Sequence, residues 1–461
     1  MRQTPQQESS NYLQLSLAIL AGSLISFLFV YIIGRYPFFW SDSEVYIKHA
    51  VTDTVTTYGT TAYPKFLQLS LGLISLWFSL IAQMLIASYV LWKFCKFIFP
   101  NFSILKFLIL NLLLIPTSYH FFVDTIMPDI FLPLGVLCYY LILNQQISKK
   151  HFFIYLIFSF CVIAHNGFPY TFILFSGIAL PIYVLATRSK SATIKSVFVF
   201  LLILVASFIV KPLLAMSYDV DVRKKRNLNF FCRQIILTQY DKLFKETLEL
   251  GCLNYTSEVC DLNSQRKDIL KLKYRNKWEP ECKEIFLTAL EDDTFRSNII
   301  KSKFTNILKM NLNLSAYRNA GSNVKQHGDI NKVIKSDPFL SITQSNVNQN
   351  PKKFSKRMRS IRVMVKYAFN LSLFGLFIIS MLYLLQLFKI KMILIDKRIM
   401  IFVLFTILFI ASALIFYGLF SRPGNTRYAM RFGWLIPFCF YLFVFSFINS
   451  IRKPTKLDPD S

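Results

Sequence analysis

The amino-acid sequence predicts an all-α, multi-pass transmembrane protein of about ten helices that carries one mainly helical extracytoplasmic domain. Of its 461 residues, 54% are hydrophobic and only 17% are charged, against about 25% charged residues in an average soluble domain. The apolar residues form unbroken runs of roughly twenty, which is enough to cross a bilayer as a helix and about twice the length of a barrel strand. With 47 phenylalanines and only 14 glycines, the composition also excludes a disordered or collagen-like chain.

Ten apolar runs are predicted as membrane spans, seven in residues 1–215 and three in residues 367–461. We expect the first to be a retained anchor, because it is longer than the apolar core of a signal peptide and lacks a small-residue cleavage site. The ten runs are Leu13–Ile33, Phe66–Trp92, Phe107–Tyr119, Ile130–Leu143, Phe152–Ala164, Phe168–Leu185, Val197–Ala215, Phe369–Leu387, Phe402–Phe420 and Phe432–Ile448.

Basic residues between these runs predict the orientation of the chain. If the N-terminus is cytoplasmic, every cytoplasmic connection is basic and the short outer loops carry fewer basic residues, as the positive-inside rule requires. Residues 216–366 hold about half of the net positive charge, but a loop of this length translocates largely regardless of its charge. Both termini are therefore predicted in the cytoplasm, with the chain in a bacterial inner (plasma) membrane. A net charge of +27 would suggest nucleic acid in a soluble chain, but in a membrane protein the positions of the basic residues matter more than their sum, so we expect membrane lipid and no nucleic acid as a partner. The cytoplasmic basic residues are Lys93, Lys96, Lys106, Lys149, Lys150, Arg188, Lys190, Lys195, Lys389, Lys391, Lys397, Arg398, Arg452, Lys453 and Lys456.

Residues 216–366 are mostly polar and contain no candidate span, which predicts a separate extracytoplasmic domain. Four cysteines cluster in its first half, namely Cys232, Cys252, Cys260 and Cys282. Their even number predicts two disulfides, which agrees with the oxidising side of the membrane that the orientation assigns. Free thiols are the alternative. A zinc site is the weaker reading, since the cysteines have neither a C-x2-C spacing nor a nearby histidine.

The first outer loop carries two carboxylates directly after a membrane span. Asp42 and Glu44 lie among aromatic residues, and a carboxylate at a lipid interface is costly unless it is solvated or used. On a helix two residues at this spacing point about 200° apart, so we expect only one of them to face a site. A solvated loop is the alternative.

Two further outer segments concentrate polar residues. The second outer loop holds His120, Asp124 and Asp129, with Asp129 following Pro128 at the start of the next helix. Helix capping explains Asp129 but not the other two. A third segment, His165-Asn166-Gly167, interrupts an apolar hairpin, and a plain turn is its alternative explanation.

The last outer segment contains three arginines within ten residues, which is unusual for a short outer loop. Arg422, Arg427 and Arg431 suggest a bound anion, because guanidinium groups bind phosphate oxygens through paired hydrogen bonds. The neighbouring Tyr428 and the membrane suit a phospholipid or a polyprenyl phosphate. Snorkelling of the arginines to the membrane surface is the alternative.

Together these motifs resemble the integral-membrane glycosyltransferases of the GT-C superfamily, which include protein mannosyltransferases and aminoarabinose transferases. The resemblance rests on the acidic residues followed by Tyr46, on Met127-Pro128-Asp129, on the break at His165, and on Arg427-Tyr428 ahead of a final helix with Pro437. It covers the helical core up to about Leu185 and the last two helices. The resemblance implies a polyprenyl-phosphate-linked sugar as donor, an outward-facing site, inversion at the anomeric carbon, and a catalytic carboxylate in the first outer loop.

In this interpretation Asp42 matches the catalytic carboxylate, although the spacing Asp42-Ser-Glu44 departs from the usual pattern and leaves Glu44 as the other candidate. The carboxylate accepts the proton of a glycan, lipid or protein acceptor while lipid phosphate leaves, and Arg422 and Arg427 stabilise the leaving charge. The remaining polar residues line the sugar pocket, or hold a divalent metal ion if one is used; these are His120, Asp124, Asp129, His165, Asn166 and Tyr428.

Three other functions fit the same sequence. A polysaccharide polymerase would also be basic outside and would carry a large outer loop in its C-terminal half. A lipid-linked sugar flippase or another transporter would more often place charged residues in the middle of its spans. A non-catalytic membrane scaffold that presents the cysteine-rich domain is the third alternative.

Overall fold

A computed structural model of the chain describes residues 5–33, 37–39, 42–52, 61–72, 74–145, 147–216, 218, 279–309, 351–387, 396–420 and 427–451. Within these ranges the chain is almost entirely helical and forms no β-strand longer than a single bridge. The α-helices are α1 (Pro5–Ile33), α2 (Ser43–Thr52), α3 (Ala62–Leu69), α4 (Leu76–Ile98), α5 (Ile104–Leu114), α6 (Tyr119–Val123), α7 (Phe131–Asn144), α8 (Phe152–Ile163), α9 (Phe168–Thr187), α10 (Lys190–Val205), α11 (Lys211–Met216), α12 (Glu279–Ala289), α13 (Asp293–Lys309), α14 (Pro351–Leu387), α15 (Lys397–Phe420), α16 (Arg427–Gly433) and α17 (Leu435–Ile451).

Seven helical segments among the described residues are long and apolar enough to cross a membrane, which identifies a helical membrane protein. Three more apolar helices are shorter, namely α5, the segment Pro128–Asn144 and α8. The predicted count of ten spans therefore stays a prediction for these three. The seven long segments are Tyr12–Ile33, Leu76–Ile98, Phe168–Thr187, Lys190–Met216, Arg359–Met381, Lys397–Leu419 and Met430–Asn449.

The second apolar run is not one continuous helix, so the prediction of a span over Phe66–Trp92 was wrong in its first part. Leu71 adopts a left-handed conformation with φ of 60°, and the Gly72 N–H donates to the Leu67 carbonyl at 2.8 Å. A side chain at Gly72 would lie 2.6 Å from that carbonyl oxygen, so only glycine fits there. The Ser75 hydroxyl then caps α4 by accepting from the Trp77 N–H. As a result α3 belongs to the connection between α1 and α4, which the sequence predicts as the first outer loop.

Contacts between helix ends show which ends lie together at each end of the bundle. At one end, the Lys106 ammonium donates to Asn449 Oδ1 at 2.7 Å, and the Tyr140 hydroxyl donates to the Arg398 carbonyl at 2.8 Å. The chain connections then place at the opposite end the described loop residues 37–39 and 42–52, together with residues 115–130, 164–167 and 427–434. We call this opposite end the loop end of the bundle. All the segments in which the sequence predicts a site reach the loop end.

Of the predicted extracytoplasmic domain, helices α12 and α13 are described, together with the first part of α14, which begins at Pro351 and whose apolar segment starts at Arg359, before the predicted boundary at residue 366. Phe286 of α12 packs edge-on against Phe295 of α13, with ring centroids 6.0 Å apart. The Lys303 ammonium of α13 donates to the Leu419 carbonyl of α15 at 2.9 Å, so this hairpin rests on the loop end. The predicted disulfides lie outside the described residues, as do the side chain of Cys282 and residues 219–278. Of the described cysteines, all four are buried free thiols: Cys95, Cys138, Cys161 and Cys439.

Candidate functional site

A backbone bridge joins the first outer loop to the second. Phe38 and Thr125 form a parallel β-bridge, in which the Phe38 N–H donates to the Asp124 carbonyl and the Ile126 N–H donates to the Phe38 carbonyl, each at 3.0 Å. Phe38 also stacks on Phe121 at a centroid distance of 5.2 Å. The loop that precedes Asp42 is thereby held against the loop that carries Asp124.

Gln83, about two turns after the start of the spanning helix α4, holds the second outer loop against the bundle. The side chain is buried, and its Oε1 accepts from the Tyr63 hydroxyl of α3 at 3.2 Å. Its Nε2 donates to three carbonyls that bracket Asp124, those of Phe122 at 3.2 Å, Val123 at 2.7 Å and Thr125 at 2.9 Å. One amide therefore connects both outer loops to the membrane bundle.

Asp124 is a fully buried carboxyl group at the loop end. Its side chain is 0% exposed, and neither carboxylate oxygen has a hydrogen-bond partner among the described residues. Burial raises the pKa of Asp124 well above its usual range, because desolvation disfavours the carboxylate and favours the protonated form. The ring of the neighbouring Tyr119 meets the buried Trp434 edge-on at 4.8 Å.

Asp129 and Arg431 form a buried ion pair between the start of α7 and α16. Arg431 Nε lies 3.0 Å from Asp129 Oδ1, and the two side chains are 1% exposed or less. The Arg431 guanidinium also lies over the rings of Tyr417 at 5.8 Å and Phe168 at 6.0 Å. Helix capping is therefore an incomplete explanation of Asp129, because the residue also neutralises the one charge that Arg431 brings into the bundle.

The turn at His165 lies next to this ion pair. The Gly167 N–H donates to His165 Nδ1 at 3.1 Å, which closes the turn. Gly167 faces the rings of Phe416 and Tyr417 at the end of α15, and Tyr417 is one of the two rings beneath Arg431. The side chains of His165 and Asn166 are partly exposed. This turn therefore joins the same cluster as the second outer loop and α16.

His120 packs into the bundle with both ring nitrogens in use. Its Nδ1 shares a hydrogen bond of 2.7 Å with the Ser26 hydroxyl of α1, and its Nε2 contacts the Asn111 carbonyl of α5 at 2.9 Å. Burial lowers the pKa of His120 to about 4, so the ring is neutral at physiological pH and Nε2 donates to the carbonyl. His120 anchors the second outer loop to two helices.

Asp42 immediately precedes helix α2 in the first outer loop. Its carbonyl accepts from the N–H groups of Val45 at 3.1 Å and Tyr46 at 3.3 Å, and its side chain is partly exposed. The Tyr46 ring meets the Tyr63 ring edge-on at 5.3 Å, and Tyr63 is the residue that binds Gln83. Asp42 is thereby connected through α2 and α3 to the second outer loop.

The remaining predicted residues are described in part or not at all. Glu44 lies in α2, and Arg427 and Tyr428 open α16, but their side chains are outside the description, as is the whole of Arg422. Sequence reasoning missed Gln83, Tyr63 and the pairing of Arg431 with Asp129. Gln83 had a usable signal, since a lone amide in the run LWFSLIAQMLIASYV needs a polar partner.

Within the described ranges, no three His, Cys, Asp or Glu side chains are grouped so that they could hold a metal ion. Across the whole sequence, no family model, no curated protein and no solved structure matches the chain.

Proposed function

We propose that the protein is a membrane glycosyltransferase of the GT-C type, which moves a sugar from a polyprenyl-phosphate donor to an acceptor at the extracytoplasmic face. The observation that carries the proposal is the convergence of the separate polar segments on one buried cluster at the loop end. Buried Asp124 lies in the loop that is bridged to the first outer loop, and the Asp129–Arg431 pair connects the same loop to α16. Ionisable groups buried in a membrane bundle are expensive, which favours a functional reason for keeping them.

The environments of the carboxyl groups support a division of roles. Burial favours the protonated form of Asp124, which can donate a hydrogen bond to a sugar hydroxyl but cannot act as a base. Asp42 is partly exposed in the loop that opens toward the outside, so it is our candidate for the base, with Glu44 as the alternative. His120 has no ring nitrogen to spare, so we reassign it from sugar contact to support of the second outer loop.

The arginines divide in the same way. Arg431 is already neutralised by Asp129. We therefore assign binding of the donor phosphate to Arg427, one helical turn earlier in α16, and to Arg422. Preorganised positive charge at the leaving phosphate is the type of stabilisation that usually contributes most to catalysis. His165, Asn166 and Tyr428 complete the proposed substrate contacts, and a divalent metal ion is left open.

The membrane topology is part of the proposal. At the end opposite the loops, exposed or partly exposed basic side chains collect, among them Lys96, Lys106, Lys150, Arg188, Lys190 and Arg398. This asymmetry supports a cytoplasmic location for that end and for both termini. We therefore propose an inner (plasma) membrane protein of bacterial type with about ten spans, whose loop end and residues 216–366 face outward, with two disulfides among the four clustered cysteines.

Sugar transfer from a radiolabelled polyprenyl-phosphate sugar in proteoliposomes tests the proposal. Asp42→Asn should abolish transfer because an amide cannot accept the acceptor proton, whereas Glu44→Gln should have the smaller effect. The matched control is Asp293→Asn, which changes a carboxylate that is 91% exposed on α13. Full transfer by Asp42→Asn, Glu44→Gln and the double variant would exclude this site.

One observation favours a second candidate. A buried carboxyl group that holds its proton, such as Asp124, is also what a proton-coupled transporter of lipid-linked sugars uses. The same proteoliposomes separate the two, since a transporter moves the labelled lipid across the bilayer without forming a new glycosidic bond. If neither transfer nor movement occurs, a polysaccharide polymerase or a non-catalytic scaffold becomes the better reading.

A further inference from the structure

Helix α13 rests on the end of a membrane-spanning helix. The Lys303 ammonium donates to the Leu419 carbonyl at 2.9 Å, and Leu419 is the last residue of the spanning segment Lys397–Leu419. The last carbonyls of a helix have no partner within it, and a cation there also complements the helix dipole. This contact places α13 at the end of the apolar segment, where a helix of this length and composition would leave the bilayer.

A second contact shows which face of α13 is turned toward the spanning helix. Ile307 packs against Gly418 so closely that a Cβ on Gly418 would lie 2.3 Å from Ile307 Cγ1 and 3.1 Å from its Cα. The close approach requires glycine, because any side chain would displace the helix. Ile307 therefore points toward the end of α15.

The same face continues beyond Ile307 into large apolar side chains that are exposed. Ile300 lies seven residues before Ile307, so the two point within about 20° of each other and are about 10 Å apart along the axis. That distance is about the diameter of a helix, and the exposure of Ile300 shows that α15 does not cover it. Ile300 is 70% exposed, and Phe304, its neighbour one turn later, is 61% exposed. Two large apolar side chains thus project at bilayer level.

The charges of α13 complete the pattern of an interfacial helix. Its sequence has four basic residues and one acidic residue. Arg296 and Lys301 are exposed beside the apolar pair, and Arg296 also contacts Asp293. Basic residues that flank large apolar side chains are typical of helices that lie in the headgroup region of a bilayer, where phosphate groups are available.

We propose that α13 lies on the outer surface of the membrane, with Ile300 and Phe304 inserted at the boundary between headgroups and acyl chains and with Lys301 beside lipid phosphates. The occupant of this exposed face is the bilayer itself, in continuity with the lipid that surrounds α15. The helix then anchors residues 216–366 beside the loop end. The proposal does not depend on the glycosyltransferase function.

Photo-crosslinking in vesicles of phosphatidylcholine and phosphatidylglycerol tests the proposal on the full chain. Benzoylphenylalanine at Phe304 should yield adducts of about lipid mass by mass spectrometry. The matched control is the same residue at Thr294, which is exposed and points about 120° away from Ile300, and which should give no lipid adduct. Ile300 is a second position for the probe if the Phe304 variant does not accumulate.

Any crosslinked product other than a lipid adduct at the probe position would overturn the proposal. An adduct to a second copy of the chain would show a protein interface, and an adduct to another segment of the same chain would show that the face is covered internally. Equal lipid adducts at Phe304 and Thr294, or none at Phe304 and Ile300, would show that α13 does not rest on the bilayer by this face. Lys301→Gln should lower the share of phosphatidylglycerol among the adducts severalfold, and an unchanged share would remove the role of Lys301.

Discussion

Breaking the buried ion pair between Asp129 and Arg431 should destabilise the protein, and the two single substitutions should differ in their response to pH. Asp129→Asn leaves a buried guanidinium without its counter-charge, and guanidinium cannot be deprotonated in a protein. Removing one partner of a buried pair costs about 3 to 5 kcal/mol. Arg431→Met leaves a buried carboxylate instead, which can become neutral by taking up a proton.

The pH dependence follows from that difference. A carboxyl group that must stay protonated in the folded state stabilises the fold at low pH and loses that contribution as the pH rises above about 4. The loss of unfolding free energy caused by Arg431→Met should therefore become smaller on acidification from pH 7, by up to about 1.4 kcal/mol per pH unit. The loss caused by Asp129→Asn should stay the same. The double variant Asp129→Leu/Arg431→Met, which removes both charges, should be about as stable as the parent or more stable.

Thermal unfolding with a thiol-reactive dye measures these effects, because the buried thiols Cys95, Cys138, Cys161 and Cys439 react only when the bundle opens. An unfolding entropy of about 2 cal/mol/K per residue gives about 1 kcal/mol/K for a chain of 461 residues, so Tm should fall by about 3 to 5 °C for Asp129→Asn. The matched control is Asp293→Asn, which breaks an exposed pair with Arg296 and should change Tm little. Equal Tm values for Asp129→Asn and the control, or no recovery of Arg431→Met at acidic pH, would refute the reasoning.

Three more predictions use the same preparation. Because burial raises the pKa of Asp124, deprotonation destabilises the fold as pH rises, so Asp124→Asn should raise Tm more at pH 8 than at pH 5; a larger gain at pH 5 would contradict the assigned neutral form. Gln83→Leu removes the amide that donates to the carbonyls of Phe122, Val123 and Thr125, of which the Thr125 carbonyl still accepts from the Met127 N–H, and should cost about 1 to 3 kcal/mol. Gln68→Leu, which loses a partly buried bond to the Ala50 carbonyl, should cost clearly less in the same unfolding assay. An engineered cysteine at Thr294 should react with an impermeant reagent from outside intact cells and one at Lys397 only after permeabilisation, and the reverse pattern would invert the topology.

The sequence by itself determined that the protein is helical and lies in a membrane, because both properties are local. A run of apolar residues needs no distant partner to prefer lipid, and its backbone can be satisfied only within a helix. The polar interruptions at Asp42, Asp124, His165 and Arg427 could be identified from the sequence for the same reason, because each is a polar residue next to an apolar segment. Even so, the break at Leu71 inside an apolar run was missed, because the left-handed turn depends on the close contact of Gly72 with Leu67.

Only the tertiary structure decided which of these polar residues meet and what each can do. Asp129 pairs with Arg431 from the far end of the chain, and Gln83 binds carbonyls about 40 residues away. Helical periodicity shows which side of its own helix a residue occupies, but not which helix packs against that side. Whether a carboxyl group is charged depends on such neighbours. Burial favours the protonated form of Asp124, whereas Asp129 has a counter-charge because α16 packs against the start of α7.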